Sequence, residues 1–250
     1  MNIIGIIPAR YGSTRLEGKP LKDICGKPMI QYVYETVLKS KLLTQVIVAT
    51  DDQRIVDAVE KFGGKACLTS LNHTTGTDRI AEVAKDIQSE IVVNIQGDEP
   101  LLDVRMIDEA IRPLISDPDL NACTLCRPIT KAEDLQNPNV VKTIFDKNGN
   151  ALYFSRSQIP YPRKVTGLQA FEHIGIYVYR KSFLMQYIQM PPTPLEVAES
   201  LEQLRILENG TQLKVVVTAF DYNGLSVDTQ EDLDNVRLIV ARQMGISDQR

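Results

Sequence analysis

Between Pro8 and Leu21 the chain gathers Arg10, Arg15 and Lys19, the glycines Gly12 and Gly18, and the hydroxyls of Ser13 and Thr14. Glycines let backbone N–H groups come close to an anion, and cations neutralise it, so this mixture suits a polyphosphate. Five residues separate Gly12 from Gly18 and Pro20 stands where a hydroxyl would be needed, so it is not a Walker A loop; nor is there a G-x-G-x-x-G fingerprint. On its own the loop reads equally as a solvated basic turn. Asp98, in Gln96-Gly97-Asp98-Glu99-Pro100, directly follows an apolar run. A carboxylate there suits magnesium, which takes one or two protein carboxylates and completes its octahedron with phosphate oxygens and water. Gly97 reads either as a close approach to a ligand or as a simple turn. Asp228, in Val227-Asp228-Thr229, stands at the start of the last helix, where a helix cap and a second carboxylate ligand both remain open. His173 is one of two histidines and reads by itself as a structural hydrogen-bonding residue; His73 reads as a surface residue. Cys123 and Cys126 have C-x-x-C spacing, but positions i and i+3 of a strand face opposite ways and no second pair exists, so they read as structural thiols.

The elements that must position these residues alternate between strand and helix, the pattern of an α/β sheet. Asn2 to Ile7 reads as a buried first strand ended by Pro8, which puts the basic loop at the carboxyl edge of the sheet, where ligands bind in open α/β folds. Helix from Pro28 to about Lys41, strand from Gln45 to Ala49, helix from Asp51-Asp52 through Val59 and strand from Lys65 to Leu68 follow, with Gly63-Gly64 as the stop. Thr77 to Ile87 and Val104 to Ile115 read as helices around an apolar strand, Ile91 to Ile95. Further strands are expected at Ala122–Cys126, Val140–Asp146, His173–Tyr179 and Leu213–Ala219, and a helix at Ala198–Glu208 ended by Asn209-Gly210. Thr229-Gln230-Glu231-Asp232 resembles a capping box. A proline-rich stretch with several aromatics, at about 148–195, is expected to be an insertion over the sheet. The whole of 1–250 is expected to form one domain.

Composition sets the outer bounds. The 250 residues, 43% hydrophobic and 24% charged, suit one folded domain with a sizeable core. A net charge of −4 argues against nucleic acid or anionic membrane as partners, so any anion must be held by locally placed Lys and Arg. No apolar run nears the roughly 20 residues that span a bilayer. Met1-Asn2-Ile3-Ile4-Gly5 is too short and uncharged for a signal peptide, and four cysteines suggest no disulfide framework. A cytoplasmic location is expected.

The string from Arg10 to Leu21 resembles the signature loop of the 3-deoxy-manno-octulosonate cytidylyltransferases, the CMP-Kdo synthetases. The likeness runs through Ala49-Thr50-Asp51-Asp52, Ser70 to Arg79 with Gly76-Thr77-Asp78-Arg79, Asn94 to Pro100, Asn137 to Lys142, Ala151 to Arg156, His173 to Tyr177, Glu199 to Leu207 and Val227-Asp228-Thr229, almost the whole chain. Glu17 departs from it, standing where the family usually has proline, and the segment between Tyr161 and Phe171 is shorter than in some members. The resemblance implies a Rossmann-like nucleotidyltransferase fold, a mostly parallel mixed sheet flanked by helices, with the 148–195 segment as lid and dimerisation insertion. It implies that CTP and 3-deoxy-manno-octulosonate (Kdo) give CMP-Kdo and pyrophosphate, for bacterial lipopolysaccharide, in a homodimer. Magnesium would be held by Asp98 and Asp228, and Lys19, Arg10, Asp98 and Asp228 would be catalytic. Ala9, Arg10, Ser13, Thr14, Arg15, Lys19, Thr75, Gly76 and Gln96 would bind nucleotide. Gln96, Glu99, Arg156, His173, Tyr177, Glu202 and Gln203 would line the sugar pocket. Loop motifs report the nucleotide better than the sugar, so an 8-amino analogue or a sialic acid stays open as acceptor. A regulatory protein without catalysis is disfavoured by intact Lys19, Asp98 and Asp228.

Overall fold

A computed structural model of the chain describes residues 1–12, 15–164, 167–222 and 225–245. It is α/β, with a mostly parallel mixed sheet flanked by helices. In chain order, β1 (Ile3–Ala9), β2 (Asp23–Ile24) and β3 (Lys27–Pro28) lead into α1 (Met29–Val37), β4 (Gln45–Thr50), α2 (Gln53–Lys61), β5 (Ala66–Leu68) and α3 (Gly76–Lys85). β6 (Ile91–Asn94), α4 (Val104–Ser116), β7 (Ala122–Pro128), β8 (Lys142–Phe145), β9 (Ala151–Ser155) and β10 (Phe171–Arg180) follow. The chain continues through α5 (Lys181–Tyr187), α6 (Pro194–Glu199), α7 (Leu204–Glu208), β11 (Lys214–Val217) and α8 (Gln230–Gln243). Two compact units result: residues 1–89, 94–105 and 221 onward, and residues 90–93 with 106–220. Among the described residues no helix is long and apolar enough to cross a membrane.

In the first unit β1 runs parallel to β4, from Ile4 opposite Gln45 to Ala9 opposite Thr50, and β4 runs parallel to β5. The residues of β1 and β4 are buried almost without interruption, as both-faced burial of a parallel sheet demands. β1 continues past Pro8 to Ala9, because proline removes a donor but keeps an extended φ. Helices form where the apolar period is 3.6: α1 buries Met29, Ile30, Val33, Tyr34 and Val37. The side chain of Asp52 caps α2 by accepting from the Arg54 N–H at 2.9 Å, and Thr75 caps α3 by accepting from the Asp78 N–H at 3.1 Å. α8 opens with a capping box in which Thr229 and Asp232 exchange bonds. That helix buries Leu233, Val236 and Val240 against Leu16, Ile24 and Met29.

In the second unit β10 lies antiparallel to β7 and to β8, β8 is antiparallel to β9, and β11 is parallel to β7. The expected 148–195 segment supplies β9, β10 and α5 here. β10 carries a bulge: Ile174 faces Leu125 and Tyr177 faces Thr124, so Gly175 and Ile176 are extra to the ladder. The single helix expected over Ala198–Glu208 is two short ones. Ser200 takes a left-handed conformation, φ 52°, and breaks the spiral between α6 and α7. The break is held by Glu199, whose carboxylate accepts from the Ser155 hydroxyl at 2.6 Å and the Arg156 N–H at 2.9 Å. Glu202 therefore lies in the connecting turn and Gln203 at the start of α7, not on one continuous helix. Cys123 and Cys126 are both fully buried on β7, and burial pushes both thiols up, Cys126 to about 12.

Candidate active site

The first loop leaves β1 at Ala9 and returns through a short 3-10 turn, Lys19–Leu21. Its neck is closed by Gly18, whose N–H donates to the Tyr11 carbonyl at 3.0 Å. Gly18 is left-handed, φ 63°, with a Tyr11 ring atom 3.1 Å from where a Cβ would stand, so both conformation and space select glycine. Leu16 is buried against the α8 cluster, a contribution of about 2 kcal/mol that pins the loop between its cations Arg15 and Lys19. Ser13 and Thr14, expected at the nucleotide, lie outside the described residues.

Lys19 is the centre of the site. Its ammonium donates to Asp98 Oδ2 at 2.7 Å and to Asp228 Oδ1 at 3.2 Å, and the exposed Arg15 guanidinium reaches Asp228 Oδ1 at 3.1 Å. Burial works against the Lys19 charge, but Asp98 and then Asp228 outweigh it and hold the ammonium above its ordinary value. The backbone accounts for the meeting of two carboxylates so distant in sequence: the N–H of buried Val227 donates to the Asp98 carbonyl at 2.9 Å. Asp228 precedes the helix cap, which is Thr229, so its carboxylate is not spent on α8. Gly97 leads into Asp98 with its Cβ position 2.8 Å from the Pro8 carbonyl oxygen, so the chain passes closer to β1 than any side chain allows. A cationic group already sits between two half-buried carboxylates, a donor set of the number and hardness that magnesium takes from a protein. The site offers two carboxylates, and among the described residues no group of three metal-ligating side chains gathers.

A second cluster lies under the loop. Arg79, fully buried on α3, donates to Asp51 Oδ2 at 2.8 Å and to the Thr69 hydroxyl, and the other Asp51 oxygen accepts from the Tyr11 N–H at 3.4 Å. Burial pulls the Arg79 guanidinium below its ordinary value, Asp51 opposes this, and the charge of Arg10 adds to it. The Arg54 guanidinium stacks on the Tyr11 ring, 3.3 Å from its centroid. Asp51 and Arg79 stood in strings that carry the family likeness but had been given no role. The available signal was an arginine in phase with the buried face of α3, four residues before Val83. Ala9 is buried at the end of β1; Thr75 and Gly76 open α3, the Thr75 hydroxyl acting as its cap. Gln96 follows Ile95, whose N–H donates to the Ile6 carbonyl, and buried Glu99 accepts from the Tyr222 hydroxyl at 3.0 Å. His73 is half-buried and paired with Glu82 on α3.

These features meet one family. A family profile described as Cytidylyltransferase matches residues 4–215. A 3-deoxy-manno-octulosonate cytidylyltransferase of Geotalea daltonii is 55% identical over 94% of this chain and 97% of its own length. One from Fusobacterium nucleatum is 52% identical over 94% and 96%. The chain belongs to the 3-deoxy-manno-octulosonate cytidylyltransferase family. A solved CMP:2-keto-3-deoxy-manno-octonic acid synthetase complexed with CTP superposes with a TM-score of 0.93 at 44% identity, over 97% of this chain and 100% of that one. A 4-diphosphocytidyl-2C-methyl-D-erythritol synthase of Anaerococcus prevotii, at 18% identity and TM-score 0.62, shares the fold.

The remaining expected residues lie in the second unit. His173 and Tyr177 are neighbours on β10, ring centroids 5.3 Å apart, with Phe154 edge-on to His173 at 5.0 Å. Burial drives the His173 imidazole down to about 3, so it is neutral, and keeps the Tyr177 phenol protonated. Gln203 is buried, and its amide nitrogen has no hydrogen-bond partner among the described residues. The carbonyl of Glu202 accepts from the Tyr187 hydroxyl at 2.6 Å. Arg156 spends its guanidinium on backbone: Nε donates to the Glu199 carbonyl at 2.8 Å and one terminal nitrogen to the Pro138 carbonyl at 2.9 Å. Behind it, Lys142 is fully buried, its ammonium donating to the carbonyls of Asn137 at 2.8 Å, Val140 at 2.6 Å and Arg156 at 2.6 Å. Neither Lys142 nor Glu199 had been assigned a role. A lysine opening a strand gives no sign of burial, because its partners are carbonyls that any sequence supplies.

Proposed function

We propose that this protein is a cytidylyltransferase that activates Kdo with CTP, releasing pyrophosphate and forming CMP-Kdo for lipopolysaccharide, and that it works with magnesium in the cytoplasm as a homodimer. The observation that carries this reading is the Lys19 ammonium between Asp98 and Asp228 at the foot of a basic, glycine-bearing loop. It is supported by relatives of that name at more than half identity and by the fold shared with a CTP-bound synthetase. Asp98 and Asp228 would hold the metal, which supplies Lewis-acid neutralisation of phosphate charge. Lys19 and Arg10 hold the β- and γ-phosphates with the loop's backbone N–H groups, and Ala9, Arg15, Thr75, Gly76 and Gln96 complete the nucleotide side. The anomeric hydroxyl of the sugar acid attacks the α-phosphorus as the bond to the β-phosphate breaks and pyrophosphate leaves. Positioning and charge stabilisation dominate such transfers, so no covalent enzyme intermediate is needed.

The sugar is read by Gln96, Glu99, Arg156, His173, Tyr177, Glu202 and Gln203. The buried Gln203 amide is supporting evidence, since an unpaired donor in the interior costs about 1–3 kcal/mol unless a ligand satisfies it. The 148–195 segment acts as lid and dimerisation segment. The test is pyrophosphate release with CTP, UTP, ATP and GTP against Kdo, its 8-amino analogue and a sialic acid, with and without magnesium. CTP with Kdo should turn over fastest and only with the metal; equal use of ATP, or no use of CTP, would overturn the reading.

A further inference from the structure

The bulge in β10 turns two carbonyls onto one hydroxyl. Thr124, fully buried on β7, has its Oγ1 2.8 Å from the Ile176 carbonyl oxygen, 3.2 Å from the Ile174 carbonyl oxygen and 2.9 Å from His173 Nε2. A hydroxyl has one proton, and a carbonyl oxygen can only accept. If that proton went to the imidazole, the lone pairs of Oγ1 would face two carbonyl oxygens with nothing between them. The proton therefore goes to the carbonyls, and the hydroxyl must accept from His173 Nε2–H. A neutral imidazole carries one proton, so Nδ1 is left as a bare acceptor. Phe154 and Tyr177 hold the ring in place by contact with it, not by hydrogen bonds to Nδ1.

We propose that Thr124 is a positioning residue that fixes His173 as the Nε2–H tautomer, so that His173 recognises the sugar acid by accepting a hydrogen bond from one of its hydroxyls at Nδ1, and not by pairing with its carboxylate. This rests on the reading of His173 as part of the sugar site. It assigns the sugar's negative charge to other groups and makes the His173 contact a test for a hydroxyl. The lowered proton affinity of the half-buried ring agrees with it, because a ring that stays neutral offers no charge to a carboxylate. The bulge's extra residues, Gly175 and Ile176, bring the carbonyls of Ile174 and Ile176 onto the same hydroxyl.

The experiment is nitrogen-15 NMR of the full chain labelled at histidine, read between pH 5 and 8, then titrated with Kdo alone. The expected spectrum shows a neutral His173 with its proton on Nε2, and Kdo moves the Nδ1 resonance in the direction of an accepted hydrogen bond. A proton on Nδ1, or a cationic ring near pH 6, would overturn the proposal, as would an Nδ1 resonance that Kdo leaves still in an enzyme that turns Kdo over. In kinetics, Thr124→Val should raise KM for Kdo about tenfold, the scale of one hydrogen bond, with KM for CTP unchanged, and Thr124→Ser should restore it. Equal KM for Kdo in Thr124→Val and wild type also overturns it. Should the valine variant not fold, the wild-type spectrum still decides. Failure of wild type to make CMP-Kdo would sink the activity instead, and the tautomer would remain readable.

Discussion

At the scale of single residues, Lys19 neutralises two carboxylates, and in the proposed reaction it also holds phosphate. Lys19→Ala should lower turnover by about 10² to 10³, the usual loss for one charge-stabilising donor. It should also leave Asp98 and Asp228 without the ammonium they share, with the exposed Arg15 still paired with Asp228. Magnesium should therefore raise the melting temperature of Lys19→Ala more than that of wild type, measured by thermal shift; an equal rise would argue that the two aspartates do not share the ion. Asp228→Asn separates ligand from cap. Because Thr229 caps α8, the variant should keep the helix by circular dichroism while its turnover falls steeply and its response to magnesium weakens. Parent-like activity and magnesium response would remove Asp228 from the metal.

Among the elements, α8 and the α6–α7 break show what local sequence controls. Thr229→Ala should cost about 1 kcal/mol, read as a shift of the denaturation midpoint without change of slope. Gly97→Ala drives a Cβ into the Pro8 carbonyl and should cost about 1–3 kcal/mol, with Asp98 displaced and activity falling beyond what the stability loss explains. The caps at Thr229 and Asp52, the apolar period of α1 and the placing of the basic loop and of Asp98 after strands were legible, because each depends on neighbours in sequence; the end of β1 at Ala9, past Pro8, was not. The break at Ser200 was not. Residues 198–208 have an acceptable helical pattern, and what bends them is Glu199 reaching 43 and 44 residues back to Arg156 and Ser155. The bulge that aims Ile174 and Ile176 at Thr124 was hidden for the same reason. The likeness to a family already paired Asp98 with Asp228, whereas the place of Lys19 between them and the bond from Val227 to the Asp98 carbonyl that draws them together needed the structure.

Over the whole molecule, stability should fall away on both sides of neutrality, for different groups. The His173 pKa is depressed in the fold, from about 6.5 to about 3. Below 6.5 the unfolded chain binds a proton the folded one refuses, so stability is lost as pH falls through that window, by up to a few kcal/mol. Lys19 is shifted the other way, so its contribution is complete below its ordinary value of 10.5 and is lost only as pH rises past the raised value. Denaturant melts from pH 4 to 7 should show a shallower slope for His173→Gln than for wild type; identical slopes would mean the ring titrates normally. Lys142 gives a last consequence, in chemical labelling. Acylating reagents attack an uncharged amine they can reach, and this one is sealed inside the second unit with three carbonyls on its ammonium. Exposed Lys131 and Lys147 should be modified within minutes while Lys142 remains intact, until the unit around it opens. Its rate of acylation, followed by mass spectrometry in rising urea, thus makes one lysine a built-in gauge of how often that half of the protein comes apart.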